Sequence, residues 1–180
     1  FAAAATCAGT GSLMEKMFKD DIEKYVDVLP GNQNTVYEDK LGLSSYVSGC
    51  TVLLGNHDML VNHNVLLPDE ELIVKFIKDD EKPLYLAMEG RFTALFAVKY
   101  SVADEIKECV KDLVNNGASL LLGTNDSNIT DVYAEELLDL AENSVRIISP
   151  LPTARARAQL LPIRLKACAA ALLRRSGSIQ

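Results

Sequence analysis

Apolar and polar positions in the first half of the chain follow two periods in turn. Met14, Met17, Phe18, Ile22, Tyr25 and Val26 recur three or four apart, which places them on one stripe of a helix. This predicts a helix over 13–26, ended by the turn cluster "LPGNQN". Three short β-branched or aromatic runs follow, "NTVYED", "LSSYVSG" and "CTVLLG", with Ser48-Gly49 suited to a tight hairpin turn. Helical spacing returns at His57 to His63. It returns again in "DEELIVKFIKDD", where Leu72, Ile73, Phe76 and Ile77 share one face behind an acidic first turn. "PLYLAMEGRFTALFAVKY" then reads as two strands about a Glu89-Gly90-Arg91 turn.

The pattern changes at Ala103. In "ADEIKECVKDLVNNG", Ile106, Cys109, Val110, Leu113 and Val114 line one helical face, and Gly117 follows the last turn as a C-cap. Strand "ASLLLG", a helix over 127–138, strand "SVRIIS" and a last helix complete an alternating series, the order that builds parallel strands. The chain therefore divides near residue 99. Residues 1–98 read as an α+β domain with an antiparallel sheet and flanking helices, and residues 99–180 as part of a parallel-sheet α/β domain.

Composition changes this picture little. With 180 residues, 48% hydrophobic and 24% charged, the chain is ordinary globular material. Cys7, Cys50, Cys109 and Cys168 lie far apart, form no Cys-x-x-Cys pair, and read as reduced thiols. Together with His57 and His63 they make no metal site by spacing, and no carboxylate pair is placed for acid/base work. No stretch approaches the length of a membrane span, and "FAAAATCAGTG" lacks the positive start of a secretory leader. A start on Phe inside a helical pattern points to a piece of a longer protein.

Charge is unevenly spread. The formal net charge is -7, yet no acid follows Glu142, while Arg146, Arg155, Arg157, Arg164, Lys166, Arg174 and Arg175 do. No aromatic residue is interleaved among them for base stacking, so a solvated helix on an acidic body is the reading, not a nucleic-acid partner.

Two short segments carry candidate chemistry. "GTNDSN", Gly123 to Asn128, leads from a strand to a helix, where free backbone N–H groups attract anions. Its residues are equally the types that cap a helix, with Asp126 or Ser127 the expected N-cap. Asn56 in "LLGNHDML" has the same two readings, a helix cap or a side-chain amide facing a ligand.

"GLSSYVSGCTVLLGNHDML", "PLYLAMEGRFTALFAVKYSVADEIKECVKDLVNNGASLLLGTNDSNITDVYAEEL" and "VRIISPLPTAR" together resemble P-type cation-transporting ATPases. The resemblance is to the nucleotide-binding domain and part of the phosphorylation domain of the heavy-metal-transporting branch. It implies an antiparallel nucleotide-binding domain followed by a partial HAD-like parallel sheet. Gly55-Asn56 match the family's Gly-Asn pair, and Gly42-Leu43 match the second half of its Gly-x-Gly turn, so ATP would lie near Gly42, Leu43, Gly55 and Asn56. Thr124 and Asn125 fall where the family's Thr-Gly-Asp loop touches the transferred phosphoryl group, and Arg155 stands for a family lysine.

The departures are equally specific. Lys40 replaces the first glycine of the turn, and Ser12-Leu13 stand where the family has His-Pro. The Asp-Lys-Thr-Gly-Thr nucleophile motif and the magnesium-holding Gly-Asp-Gly-x-Asn-Asp do not occur. Covalent phosphoryl transfer needs such a carboxylate and metal, so no catalytic residue is expected in this chain. The resemblance implies a cytoplasmic domain of a membrane pump that binds ATP weakly and works with the pump's remaining domains, magnesium being held in the intact protein. An inactive regulatory or assembly module, pairing as a homodimer through its C-terminal helix, is the alternative.

Overall fold

The computed structural model describes residues 1–148 apart from 23 and 26. The expected last helix and the basic positions from Arg155 onward lie outside the described residues.

Five strands form one antiparallel meander in chain order: β1 (Asn32–Glu38), β2 (Gly42–Val47), β3 (Cys50–Gly55), β4 (Glu81–Met88) and β5 (Arg91–Lys99). Two tight turns set its register. Val47 pairs with Cys50 around Ser48-Gly49, and Met88 pairs with Arg91 around Glu89-Gly90. All four turn residues have positive φ, the conformation of a type I′ turn whose twist matches the flanking strands.

Alternation along the strands gives the sheet two apolar faces. Leu43, Val47, Val52, Leu54, Leu84, Leu86 and Val98 fill one side, beneath α1 (Ala2–Cys7) and α2 (Leu13–Ile22). Leu53, Tyr85 and Ala87 face the other, beneath Met59 and Leu60 of α3 (His57–Asn62) and Val65. Phe18 of α2 meets Phe96 edge-on at 4.9 Å between ring centres. A buried Thr6–Ser45 hydroxyl pair, 3.0 Å apart, satisfies both groups between α1 and β2.

Helix α2 ends at Ile22, one turn short of the predicted 26. Its start is capped by Ser12, whose Oγ accepts from Glu15 N at 3.2 Å, while the Glu15 carboxylate accepts from Gly9 N and Gly11 N just ahead of the cap, each at 2.7 Å. Helix α4 (Glu70–Phe76) has no buried residue, and Leu72, Val74 and Phe76 are exposed, so the predicted inward stripe meets the core only through Ile73.

Beyond Lys99 come α5 (Asp104–Asn115), β6 (Leu120–Gly123), α6 (Asp131–Leu138) and β7 (Val145–Ile148), with β6 and β7 parallel. Helix α5 closes with Gly117 at φ 84°, Ala118 N bonding Leu113 O and Gly117 N bonding Val114 O. Those two bonds are a Schellman motif. A third core holds Ala134, Leu138 and Val145, with Val110, Leu120 and Leu122 packed against it.

Candidate functional site

Gly42, Leu43, Gly55 and Asn56 are brought together at one corner of the sheet, where Gly42 pairs with Gly55 and Leu43 with Leu54. A Cβ on Gly55 would run into Leu41 O and the Met59 sulfur, and one on Gly42 into Leu54 O and the same sulfur. Gly42 also sits at φ +148°. Both glycines are therefore required by the protein's own atoms. The Leu43 side chain is buried in the first core, so this residue offers a ligand only its backbone.

Asn56 ties the corner to α3. Its Oδ1 accepts from Met59 N at 3.1 Å, the N-cap bond, while its Nδ2 donates to Lys40 O at 2.8 Å. Its backbone N–H donates to Leu41 O. One N–H of the side-chain amide remains beyond these bonds. Around it stand exposed Lys40 at φ 59°, exposed His57 edge-on to Tyr85 at 6.3 Å, and His63, whose Nε2 meets the Glu38 carboxylate at 2.9 Å.

Thr124 and Asn125 sit elsewhere, at the carboxyl end of β6. Here the expected cap is corrected. Helix α6 begins at Asp131, not 127, and Thr130 is its N-cap, its Oγ1 accepting from Tyr133 N at 3.2 Å. Asp126 and Ser127 are buried instead, because other partners claim the loop. Thr124 Oγ1 accepts from Asp126 N at 3.0 Å, and Asp126 Oδ1 accepts from Asn128 N at 3.0 Å, local turns that compete with helix. Asp126 Oδ2 accepts from the Tyr100 hydroxyl at 2.6 Å.

Burial raises the Asp126 carboxyl above the usual range, and it pushes the Tyr100 phenol up as well, with the Asp126 charge adding to that rise. Asn125 Oδ1, Ser127 Oγ and Asn128 Nδ2 are buried without a hydrogen-bond partner among the described residues. Arg155 lies outside the described residues.

Tyr100, Asp126 as a buried acceptor, and Glu135 were not singled out by sequence reasoning. Glu135 reads as a helix-face charge, yet it is buried and accepts from Val145 N at 3.0 Å. Asp131 likewise accepts from Ile147 N at 2.6 Å, which is the main reason its carboxyl is held low. The signal was their i, i+4 spacing, which puts both acids on one face of the helix before β7.

Among the described residues no group of three or more His, Cys, Asp or Glu is placed to hold a metal ion. None of their helices is long and apolar enough to cross a membrane.

An α+β protein with a five-stranded meander and a glycine-paired corner is the class these observations define. No family model matches the chain. It is 27% identical over 141 residues to a zinc-exporting P-type ATPase of Mycobacterium marinum, a match covering 76% of this chain and 19% of that protein. It is 26% identical over 141 residues to manganese-exporting P-type ATPases of Mycobacterium bovis and Mycobacterium tuberculosis, covering 76% of this chain and 20% of each. The chain thus spans about a fifth of the length of the curated relatives it matches.

Among solved structures, the N-domain of a copper-transporting P-type ATPase overlays with a TM-score of 0.41 at 20% identity, covering 56% of this chain and 85% of that one. A zinc-transporting PIB-type ATPase overlays with a TM-score of 0.43 at 13% identity, covering 83% of this chain and 23% of that one. Both are loose overlays. The sequence similarity is to zinc- and manganese-exporting P-type ATPases, the kind of protein the motifs resemble.

Proposed function

We propose that this chain is a nucleotide-binding-type segment of a P-type cation-transporting ATPase, acting on the cytoplasmic side with the remaining domains of its pump. Residues 1–98 form the nucleotide-binding-type domain in this reading, and residues 99–180 belong to a HAD-like phosphorylation domain. The similarity over 141 residues to a zinc-exporting pump carries the proposal. The chain's own residues add what they can offer ATP: the unspent amide N–H of Asn56, exposed Lys40 and His57, and the backbone of Gly42, Leu43 and Gly55. Lys40 supplies a cation where the family turn has glycine, and a point charge suits a phosphate. With several family contacts replaced, binding is weak, and the nucleophile and magnesium belong to other parts of the pump. By the resemblance, Thr124 and Asn125 stand where the family meets the transferred phosphoryl group, and Arg155 stands for a family lysine.

Titration with ATP, followed by amide NMR shifts, tests the nucleotide role. Shifts confined to residues 40–43 and 55–57 are expected. Their absence at millimolar ATP removes the role.

A second reading, an assembly module that pairs with itself, is favoured by the exposed Leu66, Leu72, Val74 and Phe76. Light scattering decides it, since a stable dimer without nucleotide affinity supports the module and a monomer opposes it.

A further inference from the structure

Lys40 holds φ 59° on the turn between β1 and β2, a left-handed conformation that glycine visits freely and a longer side chain keeps only where its surroundings over-determine it. Packing of β1 cannot supply that constraint. It is an edge strand, exposed from Gln33 to Val36, and its register with β2 shifts between those two residues. The turn is held instead by hydrogen bonds.

Within the hairpin, Leu41 N donates to Glu38 O at 2.9 Å and Lys40 N to the Tyr37 hydroxyl at 3.1 Å. Outside it, both ends of α3 grip the same turn. Asn56, at the start of α3, holds Lys40 O through its side chain and Leu41 O through its backbone N–H. His63, at the other end, directs its Nε2 at both oxygens of the Glu38 carboxylate, 3.0 and 2.9 Å away. The His63 backbone N–H donates to Met59 O at 3.1 Å, and Met59 is buried in the second core, so this grip is anchored in packed structure.

We propose that His63 and Glu38 are positioning residues for the nucleotide-facing corner, their pair fixing the Lys40 turn so that the ammonium is presented to the phosphates of ATP. This role rests on the nucleotide reading of the corner. A turn gripped only at Asn56 can swing about that point, which spreads the Lys40 charge over many positions and lowers what it gives an anion. Gripped at both ends of α3, the turn offers its cation already in place.

Hydrogen exchange and ATP titration of the full chain, both followed by amide NMR, test the role. Without nucleotide, His63→Ala and Glu38→Gln are expected to speed exchange at Lys40 and Leu41, while β3 and β4 keep their protection. His63→Gln, which keeps an N–H near the place of Nε2, restores slow exchange. With ATP, His63→Ala weakens binding about two- to fivefold, the span of a partly exposed ion pair. His63→Gln recovers most of that loss, and His63→Ala adds nothing further in a Lys40→Ala chain. ATP binding that is indifferent to His63→Ala, or losses that simply add in the double variant, overturn the proposal and leave the nucleotide reading standing. Unchanged exchange at Lys40 and Leu41 in both His63→Ala and Glu38→Gln overturns it as well. A wild type that binds no ATP removes the nucleotide reading, and this role with it.

Discussion

Asn56 shows how one side chain can satisfy a family pattern and a local one at once. Its amide caps α3 and holds the Lys40 carbonyl, so Asn56→Ala loses both bonds, at a cost of about 1–2 kcal/mol. Asn56→Asp keeps the cap acceptor, loses the donor, and falls between. Urea denaturation of the two variants checks this, and wild-type stability in both contradicts it. Gly55 makes the same point through backbone. A methyl there meets Leu41 O and Met59, so Gly55→Ala is expected to cost about 1–3 kcal/mol, more than Gly49→Ala, whose Cβ position is open and which suffers only from φ 88°.

Asp126 gives a pH signature. Its carboxyl is easier to protonate folded than unfolded, so its stabilising contribution is present at low pH and fades as pH rises from the ordinary carboxylate range through its raised value. Of its titratable neighbours, Tyr100 is raised and Cys7 is pushed up to about 12, chiefly by burial, so neither charges in that window. Asp80, Asp131 and Asp139 act oppositely. Lys99, the Ile147 N–H and Lys111 respectively hold them low, and what they contribute is lost on acidification. Asp126→Asn should therefore gain stability relative to wild type as pH rises from acid to neutral. A denaturation series across that range that shows a constant difference contradicts the assignment.

At the scale of elements, the antiparallel meander was legible because alternation and turn residues agreed. Ser48-Gly49 and Glu89-Gly90 adopt the positive φ their types allow, and the strands fell where β-branched runs lay. The start of α6 was not legible. Asp126, Ser127 and Thr130 are all cap residues, and choosing among them required knowing that Tyr100, distant in sequence, occupies Asp126. The same blindness hid Glu135, whose role depends on the outward N–H groups of β7. Glu135 and Asp131 cover Val145 N and Ile147 N on the edge away from β6, which leaves those donors unable to pair with another strand. Glu135→Ala is expected to speed hydrogen exchange at Val145 while leaving Ile147 slow, and equal acceleration at both would contradict separate anchoring.

For the whole molecule, the family resemblance was visible in the sequence because it lies in the order of elements and in the Gly42, Gly55 and Asn56 corner. The site itself was less visible. Whether Asn56 faces a ligand or a neighbouring carbonyl depends on the turn at Lys40, and sequence spacing carries no information on that contact. In the proposed reading the sheet corner is a nucleotide-facing surface. Hydrogen exchange of the full chain with and without millimolar ATP tests this most directly, through the Leu41 and Asn56 amides that bond Glu38 O and Leu41 O. The account predicts slower exchange at those two amides in ATP and none of the same effect on β7; unchanged exchange at both would contradict it.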